Sequence, residues 1–374
     1  MKKHGKSGRI VIEIDSDIKE QLYERLSREG LTLKDWILGE ASSKVNEEVR
    51  SDEPTYNVDA KCQKGEIKKY KVISMFSGCG GMDLGFKGGF TFLGKSYPEH
   101  PFQITWANDF NEAACRTYKK NLNHEIQCGD IWELMNTMPK SADVLIGGFP
   151  CQDTSVNGKR AGVSGKKSGL YRAMVEAIKN TSPKVFVAEN VKGLLMKYNT
   201  DSLNQVLKDF RALGYKVSYD LYRVADYGVP QSRERVIIVG TKNGLAFNPP
   251  KRILSPGTWI TSKQAIHDLE NMTPNPCINH IWSEAQKSPE QGNRKLIAER
   301  AAYTIRAECH GNIQFHYSLP RRISMREAAR FQSFPDNFIF DSKLRETERQ
   351  IGNAVPPVFA WHIAKGILDL LEKD

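Results

Sequence analysis

Three short segments of this chain carry side chains suited to covalent or acid–base chemistry. Cys151 ends the run Gly-Gly-Phe-Pro-Cys, whose glycines and proline fix the backbone beside a thiol that can act as a nucleophile. Glu189, in Glu-Asn-Val, offers a carboxylate that can move a proton. Arg233 and Arg235, in Gln-Ser-Arg-Glu-Arg, can stabilise negative charge. The structural alternatives are a buried thiol, an exposed loop acid and solvated charge at a sheet edge.

A glycine-rich loop precedes these segments. FSGCGG, residues 76–81, follows an apolar run and opens a helix, so its backbone can approach a bound ligand. Asp109 and Asp130 follow the next two apolar runs, where a carboxylate can accept from ribose hydroxyls. Acids at successive strand ends fit adenosine better than a bare phosphate. A tight turn and two helix N-caps are the alternative interpretations.

Alternating strands and helices must position these residues. Short β-branched runs are separated by helical segments from residue 70 onward, which predicts an α/β fold with a mostly parallel sheet and helices on both faces. The link at residues 226–230 is too short for a crossover helix, so the last two strands should pair antiparallel. Ligands bind such sheets at the carboxyl edge, where Cys151 and Glu189 are expected. The seven predicted strands are residues 72–76, 104–107, a weaker run around Ile126, 144–146, 185–188, 217–221 and 236–239.

The composition is that of a globular protein with a polyanionic partner. The formal charge of +10 favours nucleic acid, since clustered Lys and Arg release counterions from phosphates. No stretch approaches the roughly 20 apolar residues of a membrane span, and the N-terminus lacks the apolar run of a signal peptide, which predicts a cytoplasmic protein without membrane contact. The seven cysteines form no CxxC pair, so neither a disulfide framework nor a metal site is expected.

In order and spacing, these motifs resemble the DNA cytosine-5 methyltransferases over residues 70–372. FSGCGG resembles the family's cofactor loop, GGFPCQ its catalytic cysteine, ENV its glutamate and QSRER its arginine motif, while RISMREAARFQSFP and QIGNAVPP resemble its closing motifs. The resemblance implies a Rossmann-like S-adenosylmethionine-dependent methyltransferase fold: a seven-stranded mixed sheet with its last strand antiparallel, and a smaller target-recognition lobe. The sequence departs from the family pattern at two positions: Asp109 stands where the family usually has the longer Glu, and Thr154 stands where it commonly has an aromatic residue.

The resemblance also implies the chemistry. A methyl group passes from S-adenosylmethionine to carbon 5 of a flipped-out cytosine in a specific double-stranded DNA sequence, after Cys151 attacks carbon 6. Glu189 would protonate ring nitrogen 3 of the cytosine or form a hydrogen bond with it. Arg235, with Arg233 as second choice, would hold the base's carbonyl oxygen or orient Glu189. The implied cofactor contacts are Phe76, Ser77, Gly78, Gly80, Gly81, Asp109, Asp130, Ile131, Pro150 and Asn353. The implied DNA contacts are Gln152, Ser155, Asn157 and Arg306.

The resemblance predicts a modification enzyme with a cognate restriction endonuclease as its functional counterpart. Residues 303–312 resemble enzymes acting on GGNCC-like sites. The polar, glycine-rich stretch at 153–169 is typical of a loop that closes over substrate.

The domain organisation follows from changes in pattern. Residues 1–50 form a separate unit, in which 8–46 resemble a ribbon-helix-helix: a strand at 9–14, helices at 17–29 and 32–45, and a homodimer through the paired strands. A helical appendage on the catalytic domain is the alternative, favoured by Glu13 on the exposed face. Residues 51–70 read as a linker, 71–240 as the catalytic and cofactor-binding domain, 241–321 as the target-recognition region and 322–374 as the closing motifs. Those motifs contain a predicted helix at 325–332, a turn at 352–357 and a helix through Leu371.

Three other functions explain the motifs of this sequence less well. An NAD-dependent oxidoreductase would share the glycine loop and ribose acid but leaves the Pro-Cys, the Glu-Asn-Val and the basic second lobe unexplained. A non-enzymatic DNA-binding module would not need Cys151. RNA cytosine methyltransferases generally have a different motif order.

Overall fold

The computed structural model of this protein describes residues 68–149, 169–242, 246–284, 294–307 and 314–373, together with Tyr23, Leu26 and Leu33. The chain divides into two compact units, residues 1–66 and 67–374. In the first unit, Tyr23, Leu26 and Leu33 are helical, as the pattern there predicts. The predicted strand at 9–14 and residues 51–67 of the predicted linker at 51–70 lie outside the described residues, as do Pro150, Cys151, Gln152, Ser155 and Asn157.

The second unit is built on a seven-stranded sheet with a small hairpin beside it. The strands are β1 (Tyr70–Met75), β2 (Phe90–Phe92), β3 (Lys95–Tyr97), β4 (Phe102–Asp109), β5 (Gln127–Cys128), β6 (Val144–Gly148), β7 (Val185–Val191), β8 (Lys216–Arg223) and β9 (Glu234–Thr241). The sheet order is β5-β4-β1-β6-β7-β9-β8, and β2 pairs with β3 in the hairpin.

The sheet is parallel except for β9, which runs antiparallel to both β7 and β8. All seven predicted strands are therefore present, and the antiparallel pairing expected from the short 226–230 link is confirmed. The hairpin of β2 and β3 was not predicted, because each of its strands has only three residues.

Nine α-helices surround the sheet among the described residues. They are α1 (Gly81–Lys87), α2 (Glu112–Leu122), α3 (Ile131–Leu134), α4 (Gly169–Thr181), α5 (Thr200–Ala212), α6 (Ser262–Ile266), α7 (Met325–Phe331), α8 (Leu344–Asn353) and α9 (Pro357–Leu371). Short 3-10 turns lie at Met135–Thr137, Lys192–Leu195, Lys197–Asn199, Val224–Tyr227, His267–Leu269 and Pro276–Ile278.

Two apolar cores cover the two faces of the sheet. Val72 and Ile73 are neighbours in β1, and because strand side chains alternate they enter different cores. The core that contains Val72 also holds residues of α1 and α9, whereas the core that contains Ile73 holds residues of α4 and α5. Burial on both faces explains why the central strands read as nearly continuous apolar runs.

The closing motifs return to the main sheet. Helix α7 begins at a capping box, in which Ser324 Oγ accepts from the Glu327 backbone N–H while the Glu327 carboxylate accepts from the Ser324 N–H. Helix α9 packs against α1, and the segment Leu344–Leu371 meets the length and composition of a membrane span. Two-thirds of its most apolar stretch (67%) is buried inside the fold, as in the core helix of a globular domain.

The turn predicted at residues 352–357 is shorter than expected, because α8 continues to Asn353. Gly352 lies within this last helical turn, and a Cβ atom there would come within 2.3 Å of the Arg306 backbone carbon. The glycine therefore allows close contact between α8 and the segment at Arg306. A sequence pattern cannot distinguish this requirement for glycine from that of a turn.

Candidate functional site

A cavity of about 110 Å³ opens at the carboxyl edge of the sheet, where the ends of β1, β4, β6 and β7 meet helix α8. Parallel pairing brings the carboxyl ends of these strands to one edge, which is where open α/β sheets bind ligands. The predicted site residues that line the cavity are Phe76, Ser77, Gly78, Asp109, Glu189 and Asn353.

The loop after β1 bends sharply to enter α1. Phe76 has φ 55°, a left-handed conformation that is uncommon for a bulky side chain, and Gly78 and Gly80 have φ 57° and 92°. A Cβ at Gly80 would lie 2.3 Å from Leu122 Cδ1, so a larger residue there would collide with α2. The glycines are therefore required by the backbone path that places residues 76–78 against the cavity.

Asp109, at the end of β4, holds this loop in place. Its Oδ2 accepts from the Gly78 N–H at 2.8 Å, and its Oδ1 accepts from the Asn111 N–H at 2.9 Å. Burial raises the pKa of this carboxyl group, while those backbone donors lower it. Each oxygen retains a second lone pair, so Asp109 can bind the loop and still accept from a ligand hydroxyl.

Asp130 has a different setting. It is the N-cap of α3, and its Oδ1 accepts from the Trp132 N–H at 2.9 Å. The alternative interpretation of Asp130 as a helix N-cap is therefore confirmed. Asp130, Ile131, Gly80 and Gly81 are not among the described residues that line the cavity. A ligand held at Asp109 would have to extend outward from the cavity to meet Asp130.

Glu189 and Arg235 form a buried ion pair at the cavity. Arg235 Nε lies 2.6 Å from Glu189 Oε1, and each residue is 9% exposed. Burial lowers the pKa of Arg235, and the Glu189 carboxylate offsets part of that change. Gly148, opposite Glu189 in β6, leaves room for the other oxygen, because a Cβ there would lie 3.2 Å from Oε2. Arg235 thus fixes one oxygen of Glu189 while the second faces Gly148 and the cavity.

Arg233 faces a different environment. It is 1% exposed, and its guanidinium group donates to the carbonyl oxygens of Ile305 at 2.8 Å, Gly352 at 2.9 Å and Ala354 at 3.3 Å. These contacts connect the arginine motif to the segment at Ile305 and to the end of α8. Of the two arginines considered for catalysis, the geometry favours Arg235, and Arg233 organises the backbone around the site.

Asn190 connects this site to the segment that carries the cysteine. Its side chain is buried and donates to the Phe149 carbonyl oxygen at 3.2 Å, two residues before Cys151. Arg306, predicted to contact DNA, is exposed, and its backbone makes the close contact with Gly352. Its exposure leaves the guanidinium group accessible to a phosphate or a base edge.

Several cavity residues were missed by sequence reasoning: Ser74, Asp83, Asn111, Glu346 and Arg349. Asn111 Nδ2 donates to Glu346 Oε1 at 2.9 Å, and Glu346 also pairs with Arg349 at 3.2 Å, so α8 closes over the cavity from the α2 side. The i,i+3 spacing of Glu346 and Arg349 was a readable signal, as was an acid at position 83 inside an apolar helix.

The sequence is similar to those of known proteins. The family model for C-5 cytosine-specific DNA methylase matches residues 70–303 and 277–369. The Type II methyltransferase M.NgoFVII of Neisseria gonorrhoeae is 36% identical over 339 residues, covering 81% of this chain and 87% of that protein. M.FnuDI of Fusobacterium nucleatum, also a Type II methyltransferase, is 32% identical over 338 residues, covering 80% and 95%.

The fold is also similar to that of solved structures. One, described as a DNA modification methyltransferase encoded within a prophage of E. coli, superposes with a TM-score of 0.61 at 23% identity. The match covers 81% of this chain and 100% of that one. At this level of identity the likeness concerns the fold.

Proposed function

Because the chain belongs to the C-5 cytosine-specific DNA methylase family, we propose that it methylates cytosine in double-stranded DNA with S-adenosylmethionine as the methyl donor. The enzyme acts on a specific sequence, as the cytoplasmic modification partner of a restriction endonuclease. The observation that carries the proposal is the buried Glu189–Arg235 pair, which the fold brings to the cavity edge beside the strand that leads to Cys151.

The cavity fits this cofactor better than a pyrophosphate-containing one. Among the described lining residues, four are acids, namely Asp83, Asp109, Glu189 and Glu346, and Arg349, the one basic residue in that described set, is paired with Glu346. A dinucleotide would place negative phosphates among those acids, whereas S-adenosylmethionine carries a sulfonium and an ammonium group. Asp109 and Asp130 would hold the adenosine, with Phe76, Ser77, Gly78, Gly80, Gly81, Ile131, Pro150 and Asn353 completing the contacts.

Cytosine carbon 5 is a poor nucleophile until another group adds to the ring. The Cys151 thiolate adds to carbon 6, which breaks the aromatic system and makes carbon 5 enamine-like. Glu189 supplies a proton or a hydrogen bond to ring nitrogen 3, and Arg235 orients Glu189 and faces the base's carbonyl oxygen. The bound cofactor supplies an electrophilic methyl group at this stage. Loss of the carbon 5 proton then expels the thiolate and restores the ring.

The base must leave the duplex to reach this site, because the reacting atoms are inaccessible within the stack. Unstacking costs a few kcal/mol. Contacts from Gln152, Ser155 and Asn157 to the flipped base or to the gap left in the helix would offset that cost. Arg306, exposed on the second lobe, would contact the surrounding DNA.

The proposal is tested by incubating the full chain with S-adenosylmethionine carrying a tritiated methyl group and with unmodified DNA. We expect label in DNA, 5-methylcytosine on digestion, and a single sequence context, GGNCC-like, on base-resolved methylation sequencing. RNA of the same sequence is the control substrate. Methyl groups found only in RNA, or on adenine or the exocyclic nitrogen of cytosine, would contradict the proposal.

We also propose that residues 8–46 form a ribbon-helix-helix dimer that binds DNA near the protein's own gene. Alternating Ile10, Ile12 and Ile14 give an apolar strand face that one strand and two short helices are too small to bury. Residues 67–374 form a compact unit of their own. Deleting residues 1–60 is therefore expected to preserve methylation while abolishing self-association and upstream DNA binding.

The dimer prediction is checked by analytical ultracentrifugation and by gel shift with the upstream DNA, alongside the methylation assay. A truncated protein that still dimerises and still retains that DNA would refute the separate role of residues 8–46. Loss of methylation in the truncated protein would instead favour an appendage that supports the catalytic domain.

A further inference from the structure

Asp83 is a buried carboxylate that none of the proposed steps uses. It lies in α1, directly after the glycine loop, is 0% exposed, and lines the cavity. Among the residues that the structure describes, no lysine, arginine or histidine forms an ion pair with it. A buried carboxylate without a counter-charge is costly, so its presence beside a ligand cavity points to a cation that arrives with the ligand.

Two hydroxyl groups donate to this carboxylate. Tyr118 Oη donates to Oδ1 at 2.9 Å, and Ser74 Oγ donates to Oδ2 at 3.0 Å. Burial raises the pKa of Asp83 to about 6; these two hydrogen bonds act in the opposite direction, and the nearby Asp109 carboxylate adds to the increase. The Cys79 thiol, whose pKa is raised by burial and then by the carboxylates of Asp109 and Asp83, is a further titratable neighbour.

The hydrogen bonds continue from Ser74 to Ser77. The two Oγ atoms lie 2.8 Å apart. A hydroxyl carries a single proton, and that of Ser74 is committed to Asp83, so Ser77 must donate to Ser74 Oγ or to the Ser74 carbonyl oxygen, 3.2 Å away. Ser77 also lines the cavity. Both arrangements leave Ser77 with only lone pairs to offer, which suits a ligand group that donates and carries positive charge.

We propose that Asp83 is a positioning residue that selects the α-ammonium group of the cofactor, through a relay in which Ser74 and Ser77 present an acceptor and Asp83 supplies the negative charge. This inference rests on the proposed use of S-adenosylmethionine. It assigns the two ends of the ligand: Asp109 receives the adenosine, and the Asp83 relay receives the amino-acid end.

The test compares two ligands on the full-length chain by calorimetry at pH 8. S-adenosylhomocysteine has the amino-acid end, and 5′-methylthioadenosine has the adenosine without it. Asp83→Asn keeps the size of the side chain but removes its charge, so the Kd for S-adenosylhomocysteine is expected to rise by about tenfold or more. The Kd for 5′-methylthioadenosine should change less than about twofold. This ligand lacks the amino-acid end, so the variant alters only neutral hydrogen bonds at a distance from it, and these contribute little to its binding.

The pH dependence isolates Asp83 from the other acids of the cavity. Wild-type Asp83 becomes protonated as pH falls through about 6, so the ratio of variant to wild-type Kd should approach one near pH 5. Tyr118→Phe is the matched control, because it keeps the charge and removes one donor. Losing that donor should raise the pKa of Asp83 further, so its affinity should begin to fall at a higher pH than in the wild type.

Stability separates this role from a purely structural one. Folding raises the pKa of Asp83 from 3.8 to about 6, so between these two pH values the folded state binds more protons than the unfolded state. The free energy of unfolding therefore falls as pH rises through this interval. The full destabilisation is present at pH 8, where Asp83→Asn is expected to raise the Tm of the ligand-free protein. An acid retained only to hold Ser74 and Tyr118 would instead leave a less stable protein when replaced.

Equal weakening of both ligands, or unchanged affinity for S-adenosylhomocysteine, would overturn the inference while leaving the cofactor assignment intact. Weaker binding of S-adenosylmethionine alone, with the affinity for S-adenosylhomocysteine unchanged, would also overturn the inference. If the wild type binds neither ligand, both the cofactor assignment and the inference are wrong. If Asp83→Asn does not fold, Ser77→Ala replaces it, with selective loss of S-adenosylhomocysteine as the expected result.

Discussion

Replacing Cys151 by alanine is expected to reduce methyl transfer by about 10⁴-fold or more, because the covalent addition to carbon 6 loses its nucleophile. DNA affinity should change little, since phosphate contacts from Lys and Arg provide most of it. The rate is measured under single-turnover conditions with tritiated cofactor, and the affinity by gel shift on the same DNA.

A fluorine-substituted substrate gives an independent readout for Cys151. DNA with 5-fluorocytosine at the target position has no carbon 5 proton to lose, so the wild-type enzyme should remain covalently attached after methyl transfer and survive denaturing electrophoresis. Cys151→Ala should give no such complex. Cys277→Ala, at an exposed cysteine that is not among the described residues lining the cavity, is the control and should retain turnover and trapping. Turnover retained in the Cys151 variant would refute the assignment of the nucleophile.

Replacing Glu189 by glutamine is expected to slow the chemical step by about 10²- to 10⁴-fold, the usual range for a lost general acid or base. Glutamine fits the same space beside Gly148 but cannot transfer a proton, and it leaves Arg235 buried without its counter-charge. The Glu189 carboxylate raises the pKa of Arg235, and the glutamine variant loses this effect. Cofactor affinity should be largely retained, because the adenosine contacts lie at Asp109.

The neighbouring acid Glu234 is the matched control. It belongs to the same motif but pairs with Lys192 and Arg223 at 2.7 and 3.1 Å and does not line the cavity. Glu234→Gln should therefore methylate at close to the wild-type rate. The two variants are compared by single-turnover rates with saturating cofactor and DNA. A normal rate for Glu189→Gln would place the proton transfer on another group.

The strands and the edge where the site forms could be predicted because the signals are local. Each strand is a short β-branched run, and parallel pairing follows from the alternation with helices. The antiparallel β9 followed from a link of five residues. These inferences needed no knowledge of which side chains meet across the fold.

What could not be predicted depends on contacts between distant segments. The sequence cannot show that Arg233 reaches the carbonyl oxygens of Ile305 and Gly352, more than 70 positions away. Nor can it tell an acid that caps a helix, such as Asp130, from one that faces a cavity, such as Asp109, since both follow strands. The acid at position 83 was readable within an apolar helix, but its buried setting could not be inferred, because its partner Tyr118 lies 35 positions further on.

The packing of α9 on α1 has a consequence for biosynthesis. Helix α1, which carries the end of the glycine loop, is covered by residues 357–371, and Tyr70 at the start of β1 hydrogen-bonds the Leu371 carbonyl oxygen, 301 positions away. On the ribosome these apolar surfaces stay open until residues 357–371 emerge, and such late non-local contacts make folding slow and aggregation-prone. A nascent chain therefore needs shielding of α1, by a chaperone or by transient non-native contacts, until helix α9 has been released.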